Sequence, residues 1–554
     1  MRAYHLLTSV AVGTVGLSLA SPVAAQVILD RADPTITEQA LPRPSLERPE
    51  PARPSDVEAA SPAVAGTVTR TAPITAVTVA GADGVDPSAY AAVIAPVIGR
   101  ELGRAELGTF ATAIAGVVRA RGYPFATASI GAQTMAGGVL RVTVQPGRID
   151  AVRVIGDRNA AADAILVHAL AGGRPVTQAS LERALLLVGD LPGVRVKETR
   201  YVVQDGFGIL LATIEQDRAS AYAQVDNRGS DEVGPIRSTL LGSLRNLAGD
   251  GDELGLIVAQ TPIQPSEFAF ARVRYSAPVD AGGSILSVSG SLGRSNPGAA
   301  LRALDVVGDS GDIAVNYARP LHRRRSASLW AGAEFRVVSV EQTLSGQLLR
   351  RDRLATLTGS LSGLAALAGG IFHGELATAV GLPFAGATRE GDARISRPDG
   401  DGRFVAGTFQ VDWTARIAKP VSIVLASTGQ LASRPLLATA EIGLGGPGFG
   451  RAYDYAERTG DIGIMGSAEL RADTGGVLRG VIDRTQFYGF VDGGTVDNLR
   501  GGVGGGTLAS TGAGLRAGTG KLDGMIEVAL PLNQDRFDTG DRSPRISLRL
   551  SRAF

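Results

Sequence analysis

Cysteine is absent from the 554-residue chain. No disulfide can staple it and no thiolate can hold a metal, and the absence suits a protein that crosses an oxidising compartment, where a stray thiol mispairs. Histidine is scarce too. Of the four histidines, one lies in the first residues, and His168, His322 and His373 sit in unrelated surroundings, which leaves little for general-base or transition-metal chemistry. An excess of one charge is also missing, with 55 Lys and Arg against 54 Asp and Glu, so composition offers no case for nucleic acid as a partner. Aromatic residues make up only 5%. Long apolar runs are few. Apart from the N-terminus, Leu354 to Gly374 is the one charge-free stretch long enough for a membrane helix. Its glycines, with Gly369-Gly370 at the centre of a break, predict two strands meeting at a tight turn.

The N-terminus has the order of a cleavable secretory signal: Arg2, an apolar core from Leu6 to Leu19, and the small residues Val23-Ala24-Ala25. Residues 1–25 are therefore expected to be removed. Residues 26–72 are rich in proline (Pro34, Pro42, Pro44, Pro49, Pro51, Pro54, Pro62) and read as an extended leader, with only a weak signal for a short helix near Thr35 to Leu41. Two units with the same element order follow, over 73–149 and 150–218. Each is β-α-α-β-β and roughly 75 residues long, enough for one helical layer on one sheet. In the first unit Leu107, Phe110, Ile114 and Val117 line one helix face; in the second, Leu181, Leu185 and Val188 do.

From 219 to the end the helical period disappears. Alternating segments of about ten residues are separated by Gly, Asp, Asn and Pro turns, with long and short connectors in alternation. This layout predicts a transmembrane barrel of about 16 antiparallel strands with long outer loops and short periplasmic turns. The final strand, Arg545 to Phe554, puts Ile546, Leu548, Leu550 and Phe554 on one face and Arg545, Ser547, Arg549 and Ser551 on the other, a lipid/lumen split. Arg552 falls on the lipid face and is tolerable only at the rim. The sparse aromatics imply a thin girdle.

Three patterns suggest chemistry and fail on context. Gly443-Leu-Gly445-Gly-Pro-Gly448 fits G-x-G-x-x-G, but Pro447 and its neighbouring glycines preclude the helix whose N-terminus would hold a pyrophosphate. Gly308-Asp-Ser310-Gly311 resembles a serine-nucleophile setting but reads as a turn leading into a strand. Asp399-Gly-Asp401-Gly lacks the rest of a calcium-loop series and reads as a solvated acidic turn. No catalytic set can be assembled, and no metal or cofactor is expected.

The meaningful constellation involves two distant stretches. In "TQFYGFVDGGT", parity places Tyr488, Phe490, Asp492 and Gly494 on one face. A charge on the lipid face costs about 2–4 kcal/mol at mid-membrane for Arg or Lys and less for Asp, so Asp492 is expected in the lumen. The connector 434–461 contains "GGPGFGRAYDYAERTGD", and its Arg451 is a candidate for a bidentate pair with Asp492. That pairing requires the loop to fold back into the pore, with Phe449, Tyr453 and Tyr455 packed against the wall.

With these features the chain resembles the outer-membrane two-partner secretion transporters, barrels with polypeptide-transport-associated (POTRA) domains. The resemblance covers the chain from about Pro73 onward. The family's Val-Arg-Gly-Tyr/Phe loop motif reads here Gly450-Arg451-Ala452-Tyr453, and its Phe-x-Asp-x-Gly motif is intact as Phe490-Val-Asp492-Gly-Gly494. "DNRGS" at Asp226 and "NLAGDGDEL" at Asn246 are similar to the family's first hairpin. The resemblance implies that Arg451 and Asp492 lock the loop inside the barrel, supported by Phe449, Gly450, Ala452, Tyr453, Phe490 and Gly494. It implies that Phe554 is the assembly signal, read by the barrel-assembly machinery, and that the N-terminal segment plugs the pore, which so proline-rich a leader supports poorly. It further implies capture of an unfolded secreted exoprotein in the periplasm and export through the barrel, with outer-membrane lipid as the surroundings. Ala452 in place of the family's glycine puts the turn geometry in question. A barrel-assembly insertase and a diffusion porin are the alternative readings.

Overall fold

The computed structural model describes residues 33–39, 70–476 and 481–554; the expected signal over 1–25 and most of the leader lie outside the described residues. The first α+β unit contains β1 (Ala76–Ala80), α1 of the leader having preceded it at Pro34–Gln39, then α2 (Ala91–Ile94) between two 3-10 turns, α3 (Arg104–Ala120), β2 (Thr127–Ser129) and β3 (Val139–Gln145). Its sheet runs β1-β3-β2, with β1 parallel to β3. Leu107, Phe110, Ile114 and Val118 are buried beneath α3, and Val117 is only partly covered. The step of four from Ile114 to Val118 keeps the side chain over the sheet at 3.6 residues per turn. Glu106 begins the helix by accepting the Gly103 N–H at 2.9 Å.

The second unit repeats the plan: β4 (Ala151–Gly156), α4 (Ala160–Leu170), α5 (Gln178–Gly189), β5 (Val194–Gln204) and β6 (Phe207–Gln216), in the order β4-β6-β5. Leu181, Ala184, Leu187 and Val188 form the buried stripe of α5, while Leu185 lies at its edge. Phe125 of the first unit enters this core and stacks on Tyr201 at 4.1 Å between ring centroids, so the two units share a contact.

The remainder is a closed antiparallel barrel of 16 strands. In chain order they are β7 (Ala219–Asp226), β8 (Arg237–Arg245), β9 (Glu253–Gln260), β10 (Phe268–Pro278), β11 (Ile285–Ser295), β12 (Val306–Arg323), β13 (Ala327–Leu344), β14 (Gln347–Leu367), β15 (Gly370–Gly381), β16 (Val405–Ala418), β17 (Val421–Ala432), β20 (Ile462–Asp473), β21 (Arg484–Asp497), β22 (Gly506–Thr519), β23 (Leu522–Pro531) and β24 (Arg545–Ala553). The short strands β18 (Ile442–Leu444) and β19 (Arg458–Gly460) pair with each other outside the wall. The barrel closes where β24 pairs with β7, Arg549 opposite Asp226. Leu354 to Gly374 does form two strands, meeting at Ala368-Gly369. Ile546, Leu548 and Leu550 are exposed and Ser547 and Ser551 buried, and Arg552 lies 4.9 Å from the Phe554 ring at the rim.

Several details differ from the sequence reading. The β13–β14 connection on the outer side is a two-residue turn at Ser345-Gly346 rather than a long loop, because β13 and β14 continue as a hairpin beyond their neighbours. Gly308 to Gly311 lies within β12, not in a turn before it. The leader, despite its prolines, forms α1. Pro34 supplies the helical φ at a position where no N–H is needed, and Asp33 accepts the Thr35 N–H at 2.8 Å. α1 lies against the lumen wall: Glu38 bonds Arg272 at 2.5 Å and approaches Arg336 at 3.7 Å, and both arginines also hold Asp312.

The second α+β unit is fastened to the periplasmic turns. Arg323 forks onto both oxygens of Asp190 at 2.8 and 2.6 Å, Glu182 accepts the Arg325 N–H at 2.7 Å, and Asp250 caps α4 by accepting the Ala160 N–H at 2.7 Å.

Candidate functional site

The connector between β17 and β20 enters the lumen. Its base is the β18–β19 ribbon, and beyond it the chain reverses through Gly445, Gly446 and Gly450, with φ of 116°, 91° and 77°. These values are the left-handed region that glycine adopts freely. No helix follows Gly448, so the G-x-G-x-x-G match makes a turn and no dinucleotide cradle. Ala452 is fully buried and is not among the positive-φ residues. The position therefore needs no glycine, which answers the question its replacement raised.

Asp492 faces the lumen side and meets the loop tip mainly through backbone. Its Oδ1 accepts the Gly450 N–H at 2.9 Å and the Arg451 N–H at 3.2 Å, with the Ser510 hydroxyl as a third donor. Arg451 Nε lies 3.0 Å from Oδ2, a charge contact without hydrogen-bond alignment. The bidentate fork expected from the sequence is not the arrangement found. The guanidinium instead reaches past Asp492: Nη1 donates to Glu469 at 2.6 Å and Glu527 at 3.4 Å, and Nη2 to Ser467 at 3.3 Å. It also stacks on Phe490, 4.1 Å from the ring centroid.

The carboxylates are cross-linked in turn. Glu469 accepts from Arg471 at 2.6 Å and Arg516 at 2.9 Å. Glu527 accepts from the Tyr488 hydroxyl at 2.9 Å and contacts Arg228. Apolar packing closes around the loop. Tyr453 is fully buried among Leu444, Ala452, Met465, Phe490 and Leu508, with Phe449 at the edge, and its hydroxyl donates to the Gln534 carbonyl at 3.1 Å. Gly494 permits the close strand approach, since a Cβ there would sit 2.5 Å from the Ile464 carbonyl oxygen. An open cavity of about 770 Å³ beside the loop is lined by Asp226, Arg228, Glu375, Arg471, Arg516 and Arg549, among others.

Glu469, Glu527 and Arg516 were not singled out from sequence. Strand alternation puts each on the lumen face, but polar lumen residues are the rule in a barrel, and parity alone does not say which of them converge. A second cluster was missed outright. Arg397 is buried and ties three outer loops together, donating to Asp399 at 2.7 Å, Glu441 at 3.1 Å, Asp461 at 2.8 Å, Asn498 at 3.0 Å and the Leu499 carbonyl at 2.5 Å. Asp399 and Asp401 are therefore no solvated acidic turn. Asp399 serves Arg397, and Asp401, almost wholly buried, bonds Arg403 at 2.9 Å.

A closed 16-stranded barrel with an occupied lumen and α+β units on its periplasmic turns defines the class: an outer-membrane barrel transporter carrying periplasmic modules. Residues 208–517 match the haemolysin secretion/activation protein family ShlB/FhaC/HecB, and residues 72–147 match the POTRA domain of ShlB type. The chain belongs to this family. The heme/hemopexin transporter protein HuxB of Haemophilus influenzae strain 86-028NP is 22% identical over 463 residues, 80% of each chain. CdiB from Escherichia coli superposes with a TM-score of 0.70 at 19% identity, covering 97% of this chain and 100% of that one, and CdiB from Acinetobacter baumannii with 0.62 at 16%, again over 97% and 100%. The protein is an outer-membrane two-partner secretion transporter whose POTRA domains lie in the periplasm and whose partner is a secreted exoprotein. The family is one of transporters rather than enzymes, and the insertase and porin readings give way to it.

Proposed function

We propose that the loop 434–461 is locked in the lumen by Arg451 and Asp492, with Glu469 and Glu527 as further members of the lock. The observation that carries this reading is the double use of Asp492, which accepts two loop N–H groups while its second oxygen neutralises the guanidinium. Phe449, Gly450, Ala452, Tyr453, Phe490 and Gly494 seat the loop so that the charges meet. α1 occludes the opposite side of the lumen, and Glu38 is its latch.

The exoprotein binds unfolded, adding as a strand to a POTRA sheet edge before threading outward. β1 suits this: it is an edge strand of sequence AVTVA, with no charge, proline or bulge to repel an added strand. Phe554 acts as the assembly signal for the barrel-assembly machinery. Its N–H is bound by Ala221 at 2.8 Å and its ring is left exposed. Outer-membrane lipid surrounds the barrel. The reading requires no nucleic acid, cofactor or metal, and no enzymatic step. Removing residues 73–218 while keeping a folded barrel should abolish appearance of the exoprotein in the medium; export that persisted would refute capture by the POTRA units.

A further inference from the structure

The outer wall of the barrel has a charged sector. Ser291, Asp312 and Arg336 meet in the lumen beneath α1. Arg294, Asp309 and Glu341 lie an odd number of residues from them on the same strands, so alternation turns them to the outside. Register agrees: Arg294 pairs directly with Asp309, Asp309 with Glu341, and Glu341 with Arg351. Arg353, two residues further along β14, shares that face.

The depth of this sector can be read from β12. Its outward residues run Asp309, Gly311, Ile313, Val315, Tyr317, Arg319, charged at both ends and uncharged between. At roughly 3.4 Å per residue and a tilt near 40°, the two charges stand about 25 Å apart in height, the thickness of the apolar belt of such barrels. Arg319 marks the periplasmic boundary, and the row through Asp309 marks the outer headgroup layer.

The cations of this row are unequally engaged. Arg351 bonds Glu341 at 2.6 Å, Arg294 approaches Asp309 at only 3.8 Å, and Arg353 has no carboxylate partner among the described residues although it is exposed. An outward arginine without a partner is costly in hydrocarbon and is stabilised where an anion can meet it. Its planar fork fits phosphate oxygens.

We propose that Arg351 and Arg353, neighbours on the outward face of β14, form a binding site for the phosphate of an anionic lipid headgroup in the outer leaflet. The site rests on the seating of the barrel in the outer membrane but not on the loop lock or on POTRA capture, so its loss leaves insertion and export intact.

Native mass spectrometry of the full chain, released from micelles doped with phosphatidylglycerol or phosphatidylcholine, tests it. The natural chain should retain phosphatidylglycerol preferentially. R351A/R353A should lower that preference by roughly fivefold per arginine, and R351K/R353K should keep most of it. If the alanine pair does not fold, as judged by resistance to unfolding in cold detergent, Arg353→Gln alone should still lower the preference. An unchanged preference in either neutral variant overturns the proposal. So does displacement of the lipid by millimolar inorganic phosphate, which would identify a site for free anions.

Discussion

Removing the Arg451 guanidinium leaves Asp492, Glu469 and Glu527 around a space with one cation fewer. Stranding buried charge in this way costs about 3–5 kcal/mol, so Arg451→Ala should release the loop. Arg451→Lys should fail nearly as badly, because a single ammonium cannot contact Glu469, Asp492 and the Phe490 face at once. Secretion titres at matched barrel abundance check both. Ala452→Gly should change secretion little, since the residue has no left-handed φ for glycine to relieve; a large gain or loss would mean that the turn is strained after all. Much of this site was legible. Strand parity pointed Asp492 inward, and the glycine and aromatic setting singled out Arg451. The sharing of Arg451 among three carboxylates was not legible, because it depends on how β20, β21 and β23 bring Glu469, Asp492 and Glu527 together.

Among the elements, α1 is the one the sequence underrated. Six residues of weak helical signal fold where the wall supplies partners, namely Arg272 and Arg336 for Glu38 and a buried niche for Asp33. Burial pushes the Asp33 carboxyl up to about 6, against the pull of Arg350 and the Thr35 hydrogen bonds, with Asp352 adding to the rise. Glu38 is also raised by burial, against Arg272 and Arg336. A raised acid pKa in the docked state means that ionisation opposes docking. The penalty is full above about pH 6 and is relieved as pH falls toward the undocked value near 4. The closed state should therefore be more populated at pH 5 than at pH 7.5 in single-channel recordings, and Asp33→Asn should flatten that dependence. Arg397 ties the outer loops to one another. Arg397→Ala removes the side chain on which three of them converge, and it should raise the frequency of large conductance openings without lowering barrel abundance. Nothing in the sequence around Arg397 indicates this role, since its acceptors lie as far away as Asn498 and Leu499 and only the closed barrel brings them near.

For the whole molecule, the period-2 alternation and the alternating connector lengths carried the architecture. They were reliable because lipid outside and a polar lumen inside impose the same rule on every strand. Loop lengths were read less well where strands extend past the wall, as in the β13–β14 hairpin. The contacts between the second α+β unit and the barrel turns, Asp190 with Arg323 and Asp250 with α4, were also beyond sequence reading, because they join surfaces that each look like ordinary solvated turns. They hold the second α+β unit against the periplasmic turns of the barrel. On the proposed mechanism, export requires one loop held in the lumen by Arg451 and Asp492 acting together. The most direct test compares secretion by R451A, D492A and the double variant at equal outer-membrane abundance. The double variant should secrete no less than the worse single variant, as for residues of one unit; losses that add independently would show that the two residues act separately.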